Sequence, residues 1–266
     1  MTDEQRAIRL EIEVPGTPEQ VWEAIATGPG ISSWYVPHEV EPHAGGAMTA
    51  SFGPGPEMQV HGRVGAWEPP RRVVFDKGEG EPGLAFEWLV EARDGGTCVV
   101  RLVNTGFGSG EAWDHQFDAM TEGWRAFMAN LRVHLRHFPG QPAVAAQPMA
   151  IWRSAPAGGW AALASALGVD PATEVGGRLE VSAPDAPAMS GVVADRLRVG
   201  VIVVLNGPAP GTAMLLAESH GPALGVSVWT YRYGPDAARV AAEDADRWGS
   251  WLQARALTMP VADPTA

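Results

Sequence analysis

Eight large apolar residues recur at helical spacing between Glu111 and Phe138. Successive members are three or four positions apart, which places all of them on one face of a single α-helix. A helix over this range would be roughly 40 Å long, so it must lie along a wide apolar surface rather than cap the end of a small domain. The eight residues are Trp113, Phe117, Met120, Trp124, Phe127, Leu131, Leu135 and Phe138.

The residues before this helix predict an antiparallel sheet that supplies such a surface. Arg6–Val14 alternates apolar and charged residues, as a half-buried strand does. Thr17 and Pro18 then predict the start of a first helix, and a short second helix is expected around Ile31–Trp34. Short connections rich in Gly and Pro favour a meander of neighbouring strands, so we predict an α+β helix-grip fold with an apolar cavity between sheet and helix. Five further strands are predicted at Ala47–Phe52, Met58–Trp67, Arg72–Asp76, Leu84–Ala92 and Thr97–Asn104.

The second half of the chain repeats this order of elements. We predict one domain over residues 1–138, a linker rich in Pro and Ala over 139–149, and a second, degenerate helix-grip copy over 150–266. The second copy would begin with a helix at Gly159–Leu167. We expect it to serve packing or dimerisation, in which case the protein would form a homodimer. Its closing helix, Asp236–Leu257, carries Trp248 and Trp251 where the first copy has Trp124 and Phe127. Its strands are predicted at Gly177–Val181, Met189–Leu197, Val199–Leu205, Ala213–Ser219 and Val226–Tyr233.

The charge balance disfavours several classes of partner. With 19 Lys and Arg against 31 Asp and Glu, the net charge is 19 − 31 = −12, and no basic cluster is present, so nucleic acid is not an expected partner. The single cysteine, Cys98, excludes an internal disulfide and is expected to be a small buried residue. No apolar run is long enough for a membrane span, and the charged N-terminus does not resemble a signal peptide, so we expect a cytoplasmic protein.

Several short motifs resemble those of one protein family. Over residues 8–137 their order and spacing are similar to the activator of heat-shock-protein-90 ATPase homologue family, within the START-like (SRPBCC, Bet v 1-like) superfamily. The resemblance implies a helix-grip fold with a cavity, and it does not imply activation of a chaperone. The motifs are Pro18-Glu19-Gln20-Val21-Trp22, Trp34-Tyr35-Val36-Pro37, Gly45-Gly46, Gly62-Arg63-Val64, Glu68-Pro69-Pro70-Arg71-Arg72, Asp94-Gly95-Gly96-Thr97, Thr105-Gly106-Phe107 and Gly123-Trp124.

A set of aromatic residues, together with His61 and Met120, would come together if the long helix packs on the sheet as predicted. Alternation along the strand places Glu87 on the opposite face, toward water. The histidines form no cluster with ligand spacing, so no metal or cofactor is predicted, and His134 and His137 are expected to stay solvated near the helix C-terminus. The candidate ligand-binding residues are Trp34, Tyr35, His61, Phe86, Trp88, Trp113, Phe117, Met120 and Trp124.

These observations favour a binding protein for a small hydrophobic or aromatic molecule, with no catalytic residue assigned. One alternative is an enzyme of the cyclase/aromatase or hydrolase type, which needs a titratable group such as His61, Arg63 or Tyr35 in the cavity. A second alternative is a module that interacts with a chaperone, which needs an exposed apolar patch of the size of a protein interface.

Overall fold

The computed structural model divides the chain into two units, Met1–Pro142 and Ala143–Ala266. It describes residues 6–53, 55–78, 83–152, 159–220 and 223–258. Each unit is an antiparallel sheet followed by a long closing helix, so the fold is α+β with two tandem helix-grip copies.

The first unit begins with a strand, β1 (Ile8–Pro15), and two helices, α1 (Pro18–Ala26) and α2 (Gly28–Ser32). The Thr17 hydroxyl accepts from the Gln20 N–H, and the Gln20 side chain accepts from the Thr17 N–H, so a capping box fixes the start of α1. The remaining elements are β2 (His38–Val40), β3 (Ala47–Ser51), β4 (Gln59–Glu68), β5 (Arg72–Asp76), β6 (Ala85–Arg93), β7 (Thr97–Thr105) and α3 (Glu111–His137).

The sheet of this unit has the order β1-β7-β6-β5-β4-β3-β2, with antiparallel pairing between neighbours. This is the predicted meander with one addition, since β2 was not expected from the sequence. A strand of three residues is too short to show alternation, so no pattern could predict it. A bulge between Val64 and Ala66 interrupts the pairing of β4 with β5, and such an irregularity bends a sheet.

Helix α3 lies against the inner face of this sheet. Along β7 every second residue is buried, namely Cys98, Val100, Leu102 and Asn104. On the facing helix the Trp124 ring lies 5.5 Å from the Trp88 ring of β6, measured between ring centroids. The predicted apolar stripe of α3 therefore meets this face of the sheet.

The second unit repeats the arrangement with one strand fewer in its meander. Its first strand is divided into β8 (Ala143–Ala146) and β9 (Met149–Trp152), both of which pair with the last strand, as β1 pairs with β7. Trp152, Trp248 and Trp251 lie in its buried core. The other elements are α4 (Gly159–Leu167), β10 (Arg178–Glu180), β11 (Ser190–Leu197), β12 (Gly200–Leu205), β13 (Gly211–His220), β14 (Ala223–Tyr233) and α5 (Ala237–Thr258).

The segment predicted as a linker differs from the structure. Strand β8 and the first residue of β9 fall within residues 139–149, and β8 pairs with β14 in the register Thr230↔Ala146. The second unit thus begins at Ala143 rather than at residue 150. The Pro148 residue between the two short strands breaks the alternation that would have predicted a single strand.

Within the described ranges, no helix is both long enough and apolar enough to cross a membrane.

Candidate functional site

A cavity of about 410 Å³ lies in the first unit between the sheet and α3. Helix α2 and the residues after it contribute Trp34 and Tyr35, the sheet contributes Phe86 and Trp88, and α3 contributes Trp124. Such a volume is far larger than the packing defects of a protein interior, and it falls in the range of small-molecule sites. The other lining residues are Ile25, Ile31, His38, Met48, Ala50, Phe52, Val60, His61, Gly62, Phe75, Asp76, Lys77, Leu84, Gln116, Met120, Gly123 and Phe127.

Two buried hydrogen bonds hold the Trp34–Tyr35 segment in the wall of the cavity. The Trp34 indole N–H donates to the Ala24 carbonyl of α1 at 2.8 Å. In addition, the Asn130 amide of α3 donates to the Trp34 carbonyl at 2.8 Å. Because both bonds are buried, losing either would leave an unpaired polar group inside the protein. The segment is therefore fixed to both α1 and α3.

Tyr35 lies at the centre of a group of aromatic rings. Its ring centroid is 4.5 Å from that of Phe127 and 4.9 Å from that of Trp124, both on α3. The Phe52 ring lies 6.1 Å away in an edge-on arrangement. Aromatic pairs at these separations add attraction to the burial of their surfaces. The cavity wall is consequently built from flat apolar faces.

The Tyr35 hydroxyl and the His38 imidazole are polar groups within this wall. Burial raises the pKa of Tyr35 above its ordinary value, so the phenol is un-ionised at neutral pH. Burial also lowers the pKa of His38 to about 4, although a hydrogen bond from the ring to the Val36 carbonyl opposes that shift. Among the described residues the Tyr35 hydroxyl has no hydrogen-bond partner.

The remaining polar lining residues are tied to neighbours of their own. The exposed His61 imidazole hydrogen-bonds the Thr49 hydroxyl at 3.1 Å. The Lys77 ammonium donates to the His61 carbonyl at 2.7 Å, and the Asp76 carboxylate is ion-paired with Arg63 at 3.0 Å. Arg63 itself is not among the cavity-lining residues. These groups form a short polar border on β4 and β5.

Most of the predicted ligand-binding residues line this cavity, but two do not. Phe117 packs against Phe107, with ring centroids 5.0 Å apart, and the Arg6 guanidinium lies over its ring. Trp113 also packs on Phe107, at 6.3 Å. Gln116, the residue before Phe117, does line the cavity. The side of α3 that faces the cavity is therefore rotated relative to the predicted apolar stripe. The residues that line the cavity as predicted are Trp34, Tyr35, His61, Phe86, Trp88, Met120 and Trp124.

The sequence reasoning missed other lining residues. Phe127 belongs to the helical stripe and could have been included on spacing alone. Gln116 and Gly123 gave no apolar signal, although they lie on the cavity side of α3. His38 lies on strand β2, which was not predicted, so nothing in the sequence indicated on which face of the sheet its side chain lies.

Two further predictions on single residues have opposite outcomes. His134 is 3% exposed, so the expectation that it stays solvated is wrong; burial lowers its pKa to about 4. Cys98 is fully buried, as expected, and its thiol donates to the Gly16 carbonyl. The described part of the chain contains no group of three or more His, Cys, Asp or Glu side chains placed to hold a metal ion.

Solved structures of several proteins are similar to this chain. The Aha1 dimer from Colwellia psychrerythraea is 17% identical, with a TM-score of 0.42, over 50% of this chain and 97% of that one. MLL2253 from Mesorhizobium loti is 18% identical, with a TM-score of 0.43, over 50% and 98%. DynU16, a protein of the dynemicin biosynthetic locus, is 16% identical, with a TM-score of 0.42, over 95% and 97%. A comparison with curated protein sequences finds no match.

The sequence of the first unit also matches a family model. The model is described as Activator of Hsp90 ATPase homolog 1-like protein, and it matches residues 15–136. The matched range runs from the last residue of β1 to Arg136, the penultimate residue of α3, and includes the described wall of the cavity. Over residues 15–136, a little under half of its length, the chain is thus similar to the family of activator of Hsp90 ATPase homolog 1-like proteins.

Proposed function

We propose that the first unit binds a small hydrophobic or aromatic molecule in the cavity between its sheet and α3. The observation that carries this proposal is a cavity of about 410 Å³ walled by aromatic rings from three directions, including Tyr35, Trp88 and Trp124. Apolar surface removed from water contributes about 25 cal/mol per Å², so an apolar ligand that fills such a space gains most of its affinity from burial.

The flat shape of the walls favours planar ligands. The Trp124 ring has an aromatic neighbour on each of two sides. Its centroid lies 4.9 Å from that of Tyr35 and 5.6 Å from that of Phe86. A planar ring inserted among them can make offset or edge-on contacts with several faces at once, which adds to the gain from burial. We therefore place aromatic molecules ahead of flexible aliphatic ones.

The pKa values in the wall support binding rather than acid–base catalysis. A general acid or base works best with a pKa near the operating pH. Burial raises the pKa of Tyr35 and lowers that of His38 to about 4, so both groups keep their protons fixed at neutral pH. The enzyme alternative needs at least one titratable group in the cavity, and of its three candidates Arg63 is ion-paired with Asp76 and does not line the cavity.

The exposed apolar residues of the first unit also favour a cavity over a protein-docking face. Phe52, Met58 and Val60 are exposed at 37%, 38% and 43%, and they lie together around the turn between β3 and β4. Phe52 and Val60 line the cavity. This small apolar group is therefore best explained as the border of the ligand site, since a specific protein interface takes about 800 Å² from each partner.

Titration with N-phenyl-1-naphthylamine, an uncharged probe whose fluorescence increases in apolar surroundings, tests this proposal. The expected result is saturable binding of one probe per chain, with quenching of tryptophan emission and a rise in melting temperature through mass action. Fluorescence that increases linearly without saturation, with no thermal shift, would contradict it.

A further inference from the structure

The hydrogen bonding of His38 determines which polar groups it can accept. Its Nδ1 lies 2.8 Å from the Val36 carbonyl oxygen, which can only accept, so Nδ1 carries the proton. In the neutral ring Nε2 is then an acceptor with no proton to donate. Among the described residues no group donates to Nε2. His38 thus offers one acceptor site in the wall of the cavity.

Tyr35 supplies a second polar group beside the first. The centroids of the Tyr35 and His38 rings are 5.5 Å apart, and both rings line the cavity. A hydroxyl can donate one hydrogen bond and accept others, so a single ligand hydroxyl can donate to His38 Nε2 and accept from the Tyr35 hydroxyl. An ether or a carbonyl group would leave the His38 acceptor unpaired, which costs free energy in a buried site.

The charge of the wall argues against anionic ligands. Within the described lining residues Lys77 is the only Lys or Arg, and its ammonium already donates to the His61 carbonyl. A carboxylate placed beside His38 would face a neutral acceptor, the single Tyr35 hydroxyl and aromatic carbon, with no positive group to replace its lost hydration.

We propose, building on the proposed binding function, that the cavity selects un-ionised aromatic molecules carrying a hydroxyl group, and that His38 Nε2 accepts the hydrogen bond from that hydroxyl. The ligand class is a neutral phenol-type compound, as distinct from an arene without a polar group, an aryl ether or an aryl carboxylate.

Binding of three matched probes to the unaltered protein tests the proposal. The probes are 2-naphthol, 2-methoxynaphthalene and 2-naphthoate, which share a ring system and differ in the polar group. Isothermal titration at neutral pH should give about tenfold tighter binding of 2-naphthol than of 2-methoxynaphthalene, as expected for one buried hydrogen bond. 2-Naphthoate should bind more weakly than either.

A variant assigns the preference to His38. The change His38→Phe keeps a flat ring and removes the acceptor, so the ratio of the two dissociation constants should fall to about one. The matched control is His43→Phe, at an imidazole outside the lining whose side chain is 66% exposed, and this variant should keep the tenfold ratio.

The outcomes separate this inference from the proposed function. Equal affinities for 2-naphthol and 2-methoxynaphthalene in the unaltered protein, or an unchanged ratio in His38→Phe, would overturn the inference and leave hydrophobic binding intact. Absence of binding for all three probes would overturn both. If His38→Phe does not fold, the comparison of 2-naphthol with 2-methoxynaphthalene in the unaltered protein still decides the matter.

Discussion

His134 is a buried imidazole whose protonation opposes folding. In the unfolded chain a histidine titrates near its ordinary pKa of 6.5, whereas in the folded protein burial lowers the pKa of His134 to about 4. Between these two values the unfolded state binds more protons, so the free energy of unfolding decreases as the pH is lowered. His38, whose pKa is lowered to about 4 for the same reason, contributes with the same sign.

The change His134→Gln should reduce this dependence on pH. Urea denaturation at pH 7, 6 and 5 should show a slope smaller than that of the unaltered protein by about 1.4 kcal/mol per pH unit at most, the value for one proton. His115→Gln is the control, since the His115 side chain is 79% exposed, and it should leave the slope unchanged. Equal slopes for His134→Gln and the unaltered protein would show that His134 is not the group responsible.

Asn130 is a second buried polar residue with a structural consequence. The hydrogen bond from its side-chain amide to the Trp34 carbonyl holds the Trp34–Tyr35 segment in the cavity wall. Asn130→Leu keeps a similar volume and leaves that carbonyl unpaired, so the free energy of unfolding should fall by about 1–3 kcal/mol.

The affinity for N-phenyl-1-naphthylamine should fall in Asn130→Leu as well, because Tyr35 is then less firmly positioned. The exposed Asn206 provides the control, and Asn206→Leu should change neither quantity. Unfolding and binding curves that coincide with those of the unaltered protein would argue against this role for Asn130.

At the scale of elements, a buried ion pair links α5 to its sheet. The Arg232 guanidinium of β14 is 1% exposed and pairs with the Asp244 carboxylate of α5 at 2.7 Å. The same carboxylate oxygen accepts from the Thr230 hydroxyl at 2.9 Å. Removing one partner of a buried pair leaves the other charge without compensation, which is more costly than losing the pair as a whole.

Asp244→Asn should therefore destabilise the protein by about 3–5 kcal/mol. Thermal and urea denaturation measure this loss. Asp246→Asn makes the same chemical change on an exposed position of the same helix and should stay within about 0.5 kcal/mol of the unaltered protein. Similar losses of stability in the two variants would mean that the ion pair between Arg232 and Asp244 makes no specific contribution to the free energy of unfolding.

The elements differ in how well the sequence predicts them. Helix α3 and strands β3 to β7 have long, regular patterns, and their positions agree with the structure to within a few residues. Strands β2, β8 and β9 have only three or four residues each, and their pairing depends on neighbours far along the chain. The cavity lining agrees with the prediction at Met120 and Trp124, which lie on the apolar face of α3. The prediction missed His38, Gln116 and Gly123, which line the cavity through tertiary placement.

At the scale of the whole molecule, the two units use their closing helices differently. Trp124 of α3 lines a cavity, whereas Trp248, at the corresponding position of α5, is fully buried in a core with Trp251, at a centroid distance of 5.6 Å. We expect the second unit to contribute stability rather than this ligand site.

Trp248→Ala tests that division of roles. Removing a buried tryptophan should lower the free energy of unfolding by about 3–5 kcal/mol. In protein that remains folded, the dissociation constant for N-phenyl-1-naphthylamine should stay within about twofold of its original value. A large loss of affinity in folded Trp248→Ala protein would place part of the binding function in the second unit.

The central claim, that a ligand occupies the cavity beside α3, is tested most directly at Gly123. This glycine lines the cavity within the helix, and a β-carbon added there would meet no atom within 4 Å apart from its chain neighbours and the backbone of its own helix. Larger side chains at this position should extend into the cavity, and replacing a helical glycine should itself stabilise α3 by about 0.5–1 kcal/mol. The series Gly123→Ala, Gly123→Leu and Gly123→Phe thus fills the site in steps while the protein stays folded.

The decisive measurement is the titration of N-phenyl-1-naphthylamine into this series, with circular dichroism to verify folding. We predict that affinity falls as the side chain grows, with saturable binding kept in Gly123→Ala and reduced at least tenfold in Gly123→Phe. A folded Gly123→Phe protein that binds the probe as tightly as the unaltered chain would contradict the account.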